Sequence, residues 1–314
     1  MADQNTVVGI DVSKDRLDVH ILETEEAFSV ENSRKGWKRL RKRLLGLDEP
    51  AIGMEASGGY EKGVADDLAL TGFAVYVLNA GQVRAFARGV ACHAKTDPLD
   101  ARIIARCLTA SLETARPWAP DPDRSRLSAL VSYRQALVAE RTELKGRLDK
   151  TSQPTVQRLM RHQLGVVKQS LLVVEKEIAA ALKETSELRD KAALIGSAPG
   201  AGPVLIATLL AQLPEIGRID SRALCALVGV APFDRQSGTS RWSGRCLGGR
   251  SYVRRVVYMA TRSAVRGSNP ALAEFYARKR AEGKPDKVAM VATMRKFLLM
   301  LNAMIRDEQP WKAA

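Results

Sequence analysis

The sequence predicts an α/β domain followed by a coiled-coil hairpin and a mostly helical C-terminal domain. Three observations point there. Between residues 6 and 110, short β-branched runs alternate with helical patterns. Leucines at heptad spacing then run from Leu127 onward. Between the two lies Arg116-Pro-Trp-Ala-Pro-Asp-Pro-Asp123, whose three prolines exclude regular helix and mark a boundary.

In chain order, Val7–Val12 and Leu17–Leu22 read as strands joined by a turn at Ser13–Arg16, and Ala27–Glu31 as a third strand. Trp37–Leu45 is a basic amphipathic helix. Ala51–Glu55 is a short apolar strand ending in an acid, Glu61–Leu70 a helix, Ala74–Leu78 a strand and Gly81–Arg88 a short basic helix. Three hairpin-linked strands followed by helix–strand repeats match the order of an RNase H-like fold. A doubly wound nucleotide-binding fold would open with strand, glycine loop and helix, but no Gly-x-Gly-x-x-Gly follows the first strand. Lys95–Arg102 reads as a helix start with Thr96 as N-cap, and Asp97 and Asp100, three apart, share its first turn.

Beyond the boundary, Leu127, Leu130, Leu137, Leu144 and Leu148 keep heptad spacing, with Arg134 and Arg141 in the remaining seam positions. After Pro154, the series Leu164, Val167, Leu171, Val174, Ile178, Ala181 and Leu188 does the same, so two long antiparallel helices are expected, either a spacer or a dimer contact. Leu194–Leu210 resembles a helix-hairpin-helix module turning at Pro199-Gly-Ala-Gly202. The backbone N–H groups there would suit a phosphate, or the turn is purely structural. Arg218–Val230 reads as helix, Pro232–Leu247 as loop or short hairpin rich in Ser, Gly and Arg, and Ser251–Arg266, Pro270–Ala281 and Lys284–Ile305 as basic helices. Arg254, Arg255, Arg262 and Arg266 fall near one helical face.

Composition bounds the function. With 46% hydrophobic and 27% charged residues among 314, the chain is an ordinary globular protein of about two domains. No apolar run reads as a membrane span and Met1–Thr6 is unlike a signal peptide, so a cytoplasmic protein without a membrane partner is expected. Cys92, Cys107, Cys225 and Cys246 stand singly, which excludes a Cys-x-x-Cys zinc or redox motif and suits small buried hydrophobes. His20, His93 and His162 are far apart, and His20 reads as an outward strand residue. The net charge of +14 predicts a polyanionic partner; from Val230 onward, 17 Lys and Arg against 6 Asp and Glu contribute +11 of it.

Two constellations could carry chemistry. Asp11, Glu55, Asp97 and Asp100 each sit at a strand end or helix start. Converged without a cation they would repel. With two Mg²⁺ ions about 4 Å apart they would clamp the attacking and leaving oxygens of a phosphodiester. The alternative is scattered surface acids. The second constellation is the Ser/Arg loop, where Arg235, Arg241 and Arg245 supply cations to a serine hydroxyl. No histidine lies nearby, and spacing alone favours a basic loop touching a nucleic-acid backbone.

Gly9-Ile-Asp-Val-Ser-Lys14, Met54-Glu-Ala-Ser-Gly-Gly-Tyr60, Lys95-Thr-Asp-Pro-Leu-Asp-Ala101, Pro199-Gly-Ala-Gly202 and Ser237-Gly-Thr-Ser240 occur in one order. In this the sequence resembles the DEDD transposases of bacterial insertion sequences, the bridge-RNA-guided recombinases, over nearly its whole length. The resemblance implies a RuvC-like catalytic domain at 1–114, a linker at 115–123, coiled-coil helices at 124–192 and a transposase domain at 193–314. It maps the four acids to Asp11, Glu55, Asp97 and Asp100, as ligands of Mg²⁺ or Mn²⁺, and the family's serine nucleophile to Ser237, with Ser240 and Ser243 close by. It further implies a composite site between subunits of a homodimer or homotetramer and strand exchange through a covalent phosphoserine. The implied partners are donor and target double-stranded DNA and a structured noncoding guide RNA. Gly200, Gly202, Arg235, Arg241, Arg245, Arg254 and Arg255 are the expected nucleic-acid contacts. A hydrolytic RuvC-like nuclease and a non-catalytic nucleic-acid-binding protein are the alternatives.

Overall fold

The computed structural model describes residues 6–90, 97–237, 240–246 and 248–312, with the backbone alone at 97–99, 233–237 and 240–245. They form two compact units, 1–121 and 122–314. Thr96, the expected N-cap, lies outside the described residues.

The first unit is built on a five-stranded sheet of order β3-β2-β1-β4-β5. Its strands are β1 (Val7–Val12), β2 (Arg16–Ile21), β3 (Glu26–Glu31), β4 (Ala51–Glu55) and β5 (Ala74–Leu78). β1, β2 and β3 pair antiparallel as consecutive hairpins, while β4 and β5 join parallel to β1 through helical crossovers. Period-2 alternation assigns every side chain to one of two faces. Val8, Ile10, Val12, Leu17, Val19, Ile21, Ile52 and Met54 form one core with Leu40 and Leu44 of α1 (Arg34–Leu44) and Val64, Ala65 and Leu68 of α2 (Glu61–Leu70). On the other face, Val7, Ala51 and Leu78 pack with α3 (Ala80–Gly89) and with Ile103, Ile104, Ala105, Cys107 and Leu108 of α4 (Asp97–Ser111).

The close seat of α4 follows from two glycines. A Cβ on Gly9 would stand 2.0 Å from the Ala101 carbonyl oxygen, and one on Gly53 would stand 3.2 Å from Leu108. A helix can therefore lie directly on the centre of the sheet. The Pro-rich boundary is pinned to this unit, because Trp118 Nε1 donates to Asp66 Oδ1 at 2.7 Å and Trp118 N donates to the Val75 carbonyl.

The second unit opens with α5 (Pro122–Leu148) and α6 (Pro154–Glu184). They run antiparallel: Arg126 pairs with Glu184, Arg134 with Glu175 at 2.7 Å, and Gln163 with Glu140. Leu127, Val131, Leu137 and Leu144 of α5 face Val167, Leu171, Val174, Ile178 and Ala181 of α6. The expected seam is corrected at three places. Val131 is buried and Leu130 only half-buried, and Leu188 lies in a separate helix, α7 (Ser186–Gly196), because extended Thr185 ends α6 and caps its successor. The hairpin shares one core with α8 (Pro203–Gln212), α9 (Ser221–Val228), α10 (Ser251–Ser263), α11 (Pro270–Ala281) and α12 (Asp286–Arg306). Between α10 and α11, a π-helical segment at Ala264–Ser268 carries Gly267 at φ 141°, so the expected helix ends before Arg266.

α12 also corrects the reading that no run could span a bilayer: it is apolar and long enough by length and composition. Ten of its residues, including Phe297, Leu298 and Leu301, are buried, which makes it the central helix of this core.

Candidate active site

The sheet face beneath α4 collects the acids. Gly9 and Gly53 face the helix, so by alternation Asp11 and Glu55, two residues further along their strands, face the same way. The recorded parallel register ends at Ile10↔Met54, and Asp11 and Glu55 are the next residue on each strand. They therefore stand side by side, separated by roughly the 4.8 Å between neighbouring strands. Both are half-buried. The Glu55 charge is felt on α4: burial pushes the Cys107 thiol up, and the Glu55 carboxylate pushes it further.

α4 lies across this face of the sheet, with Ala101 and Ala105 against Gly9 and Ile104 and Leu108 against Gly53. Ala101, Ile104, Ala105 and Leu108 form its sheet-facing stripe, and Asp100, one turn before Ile104, continues it. Asp100 is half-buried; the Asp97 side chain lies outside the described residues. Acids in a first turn are favoured by the N-terminal end of the helix dipole. The structure thus brings Asp11 and Glu55 together and sets the helix start that carries Asp97 and Asp100 on the same face.

The donor chemistry fits a hard divalent cation, since every candidate ligand is a carboxylate oxygen. Among the described residues no group of three or more His, Cys, Asp or Glu side chains is gathered closely enough to hold a metal ion.

Sequence reasoning missed Asp18. The β1–β2 register places it directly opposite Asp11, as a hydrogen-bonded pair in phase with Ser13 N donating to Arg16 O. Like charges so placed repel. Arg16 Nε offsets this by donating to Asp18 Oδ2 at 2.9 Å. The hairpin length between Asp11 and Asp18 was the available signal.

His20, expected to point outward, is instead 4% exposed. It pairs with Gly9 and so lies under α4. Burial holds its pKa below the usual imidazole value against the pull of Glu25, with Arg102 lowering it further. Arg102 of α4 donates to Glu25 at 2.7 Å, tying the helix to the β2–β3 turn.

In the second unit, Ser237 is the last residue of β6 (Pro232–Ser237) and pairs with Ser240, the first of β7 (Ser240–Cys246). Of the expected loop or short hairpin, the chain forms the hairpin, with a register shift between Phe233 and Arg235. The side chains of Arg235, Ser237, Ser240, Arg241, Ser243 and Arg245 lie outside the described residues. The base of the hairpin is anchored by two arginines. Arg250 donates to both Glu215 oxygens at 2.6 Å, and Arg254 donates to the carbonyls of Gly229 and Gly248. Burial pushes the Glu215 carboxyl up, but the Arg250 guanidinium more than offsets this and holds it below the usual carboxylate range. Arg254 is thus engaged within the fold, whereas Arg255 is exposed.

The Pro199–Gly202 turn joins α7 to α8, with Gly200 at φ 93° and Gly202 as an exposed N-cap. Asn269 Nδ2 holds it by donating to the Pro199 carbonyl at 3.0 Å. The N–H of Ala201 is already used within the turn, donating to the Ala198 carbonyl.

Two family models match this chain. One described as "Transposase" covers residues 8–153, and one described as "Transposase IS116/IS110/IS902 family" covers 192–277. The chain belongs to this transposase family. The acid-bearing stretches lie in the first match and the Ser237 hairpin and Pro199–Gly202 turn in the second. The transposase is similar over almost its full length to the pilin gene-inverting protein of Moraxella bovis, 26% identical over 320 residues, which span 98% of this chain and 97% of that one. The corresponding Moraxella lacunata protein is 26% identical over the same spans. An uncharacterized 44.8 kDa protein of insertion element IS116 from Streptomyces clavuligerus is 32% identical over 152 residues, 47% of this chain and 36% of that one. The transposase is accordingly an enzyme of DNA recombination, and DNA is its substrate.

Proposed function

We propose that this transposase cuts and rejoins DNA strands through a serine nucleophile, Ser237, acting with an RNase H-like, RuvC-like acid site of Asp11, Glu55, Asp97 and Asp100. One observation carries the reading: Asp11 and Glu55 stand abreast on adjacent parallel strands, on the sheet face covered by the helix that bears the other two acids. Two half-buried carboxylates at strand spacing repel each other unless a cation joins them.

Mg²⁺ or Mn²⁺, held by those four carboxylates, would supply charge stabilisation at the scissile phosphate. The chain supplies the rest. The Ser237 hydroxyl forms a bond to phosphorus while the bond to one strand oxygen breaks, and that oxygen leaves as a hydroxyl carrying the proton. A strand hydroxyl then attacks the phosphoserine, which restores a phosphodiester and frees the serine. Arg235, Arg241 and Arg245, on the same ribbon, offset charge at the phosphate. The exposed Arg255 and the Gly200–Gly202 turn hold nucleic-acid backbone.

The functional assembly is a homodimer or homotetramer in the cytoplasm, directed to donor and target DNA by a structured RNA. Oligomerisation is supported by a second apolar stripe on α6, where Leu159, Val166 and Val173, seven residues apart, are all exposed.

The deciding experiment incubates the purified protein with its element's flanking DNA and RNA, with and without Mg²⁺, and resolves products on denaturing gels. Wild type forms a protein–DNA adduct and joined strands. Ser237→Ala retains nucleic-acid binding and loses the adduct. Cleavage by Ser237→Ala without an adduct would instead establish a hydrolytic nuclease. No cleavage with either Mg²⁺ or Mn²⁺ would leave a nucleic-acid-binding protein.

A further inference from the structure

Two loops leave the acid-bearing edge of the sheet: Ser13–Asp15 after Asp11, and Ala56–Tyr60 after Glu55. Glu61 shapes the second loop, and Asn32 joins the two. Glu61, at the start of α2, is only 6% exposed. A single oxygen, Oε2, accepts from Ser57 N at 3.1 Å, Ser57 Oγ at 3.1 Å and Gly59 N at 2.8 Å. The loop bends back on this oxygen through Gly58 at φ 76° and Gly59 at φ 115°, a conformation that L side chains resist.

Asn32, just past β3, works from the opposite side. Its Nδ2 donates to the Ser13 carbonyl at 2.8 Å and to the Tyr60 carbonyl at 3.3 Å. Its own N–H donates to the Asp15 carbonyl, and its Oδ1 accepts from Trp37 Nε1 at 2.8 Å. The Trp37 ring is in turn seated where a Cβ on Gly63 of α2 would lie, 2.6 Å away.

A carboxylate near a helix start is commonly a local cap. That role accounts for Glu61 alone. It does not account for Asn32, which uses one amide group to grip the loop after Asp11 and the loop after Glu55 together.

We propose that Glu61 and Asn32 are positioning residues: Glu61 sets the shape of the loop after Glu55, Asn32 ties that loop to the one after Asp11, and together they fix the separation and orientation of the Asp11 and Glu55 carboxylates. The proposal rests on the reading of Asp11 and Glu55 as cation ligands. Partners that orient metal ligands commonly matter by about 10–100-fold in metal affinity, and misplacement of a reacting group by about 1 Å can cost about 10²-fold in rate.

The test measures binding of Mn²⁺ alone to the full chain by electron paramagnetic resonance, beside DNA cleavage and thermal melting. Glu61→Ala should bind Mn²⁺ about 10–100-fold more weakly than wild type while remaining folded. Glu61→Gln, whose amide oxygen can accept from the same three donors, should recover most of that affinity. Asn32→Ala should weaken Mn²⁺ binding in the same direction, and it decides the matter if Glu61→Ala folds poorly. A folded Glu61→Ala or Asn32→Ala protein with wild-type Mn²⁺ affinity overturns the proposal. Asp11→Asn serves as the reference: if it leaves Mn²⁺ affinity unchanged, the cation-ligand reading itself is wrong and the clamp has nothing to position.

Discussion

The acid face and the serine hairpin are built in opposite ways. Asp11 and Glu55 extend from strands whose registers are set by neighbours on both sides, with helices on both faces. Ser237 ends a two-stranded ribbon with a register shift, anchored at its base by Arg250 and Arg254. A pair of strands alone is marginally stable. Alignment of the acid face is therefore a property of a core, whereas among the described residues the ribbon is flanked by the polar contacts of Arg250 and Arg254.

The sharpest way to break that contrast is Asp11→Asn or Glu55→Gln. Strand cleavage should fall below detection on denaturing gels, while the melting temperature holds or rises slightly, because one of several repelling charges is gone. A large loss of stability would mean that these acids support the fold.

Next is Gly9→Ala. Its methyl group meets the Ala101 backbone, which cannot yield as a side chain can. We expect about 1–3 kcal/mol of destabilisation in denaturant melts, toward the upper end, together with loss of cleavage.

Glu215→Gln tests the hairpin's anchorage. It should cost about 1–2 kcal/mol and reduce adduct formation, with cation binding at the acid face unchanged. Its pH dependence is fixed in sign. The folded carboxyl sits below its unfolded value, so the ion pair stabilises fully above the ordinary glutamate range and is lost as pH falls through the folded value. Wild type and Glu215→Gln should therefore converge in stability in acid, as followed by melting at stepped pH.

The smallest effect is expected from Asp18→Asn. Asp18 faces Asp11 but already pairs with Arg16, so a reduction in cleavage of several-fold, against complete loss at Asp11, is the anticipated result in the same gel assay.

Much of this is legible in the sequence. A strand such as Val-Val-Gly-Ile-Asp-Val announces itself by β-branching, and an acid at its end stands out. The two long helices followed from heptad leucines, and the Pro-rich boundary from the lack of proline N–H groups. The misreadings share a cause. His20 was placed outward because alternation separates two faces but does not say that both are covered. Leu188 kept the heptad although Thr185 had already broken the helix. Nor can composition show which carbonyls a guanidinium will find, as Arg254 finds those of Gly229 and Gly248.

Residue order alone was enough to specify the elements, their boundaries within a few positions and the acids at their ends, because periodicity, turn residues and charge are local properties. Which acids become neighbours depends on more distant parts of the chain. Strand register set Asp11 beside Glu55 and opposite Asp18, and one helix pressed against Gly9 chose the face they share. Those outcomes come from packing and hydrogen-bond pairing among segments tens of residues apart.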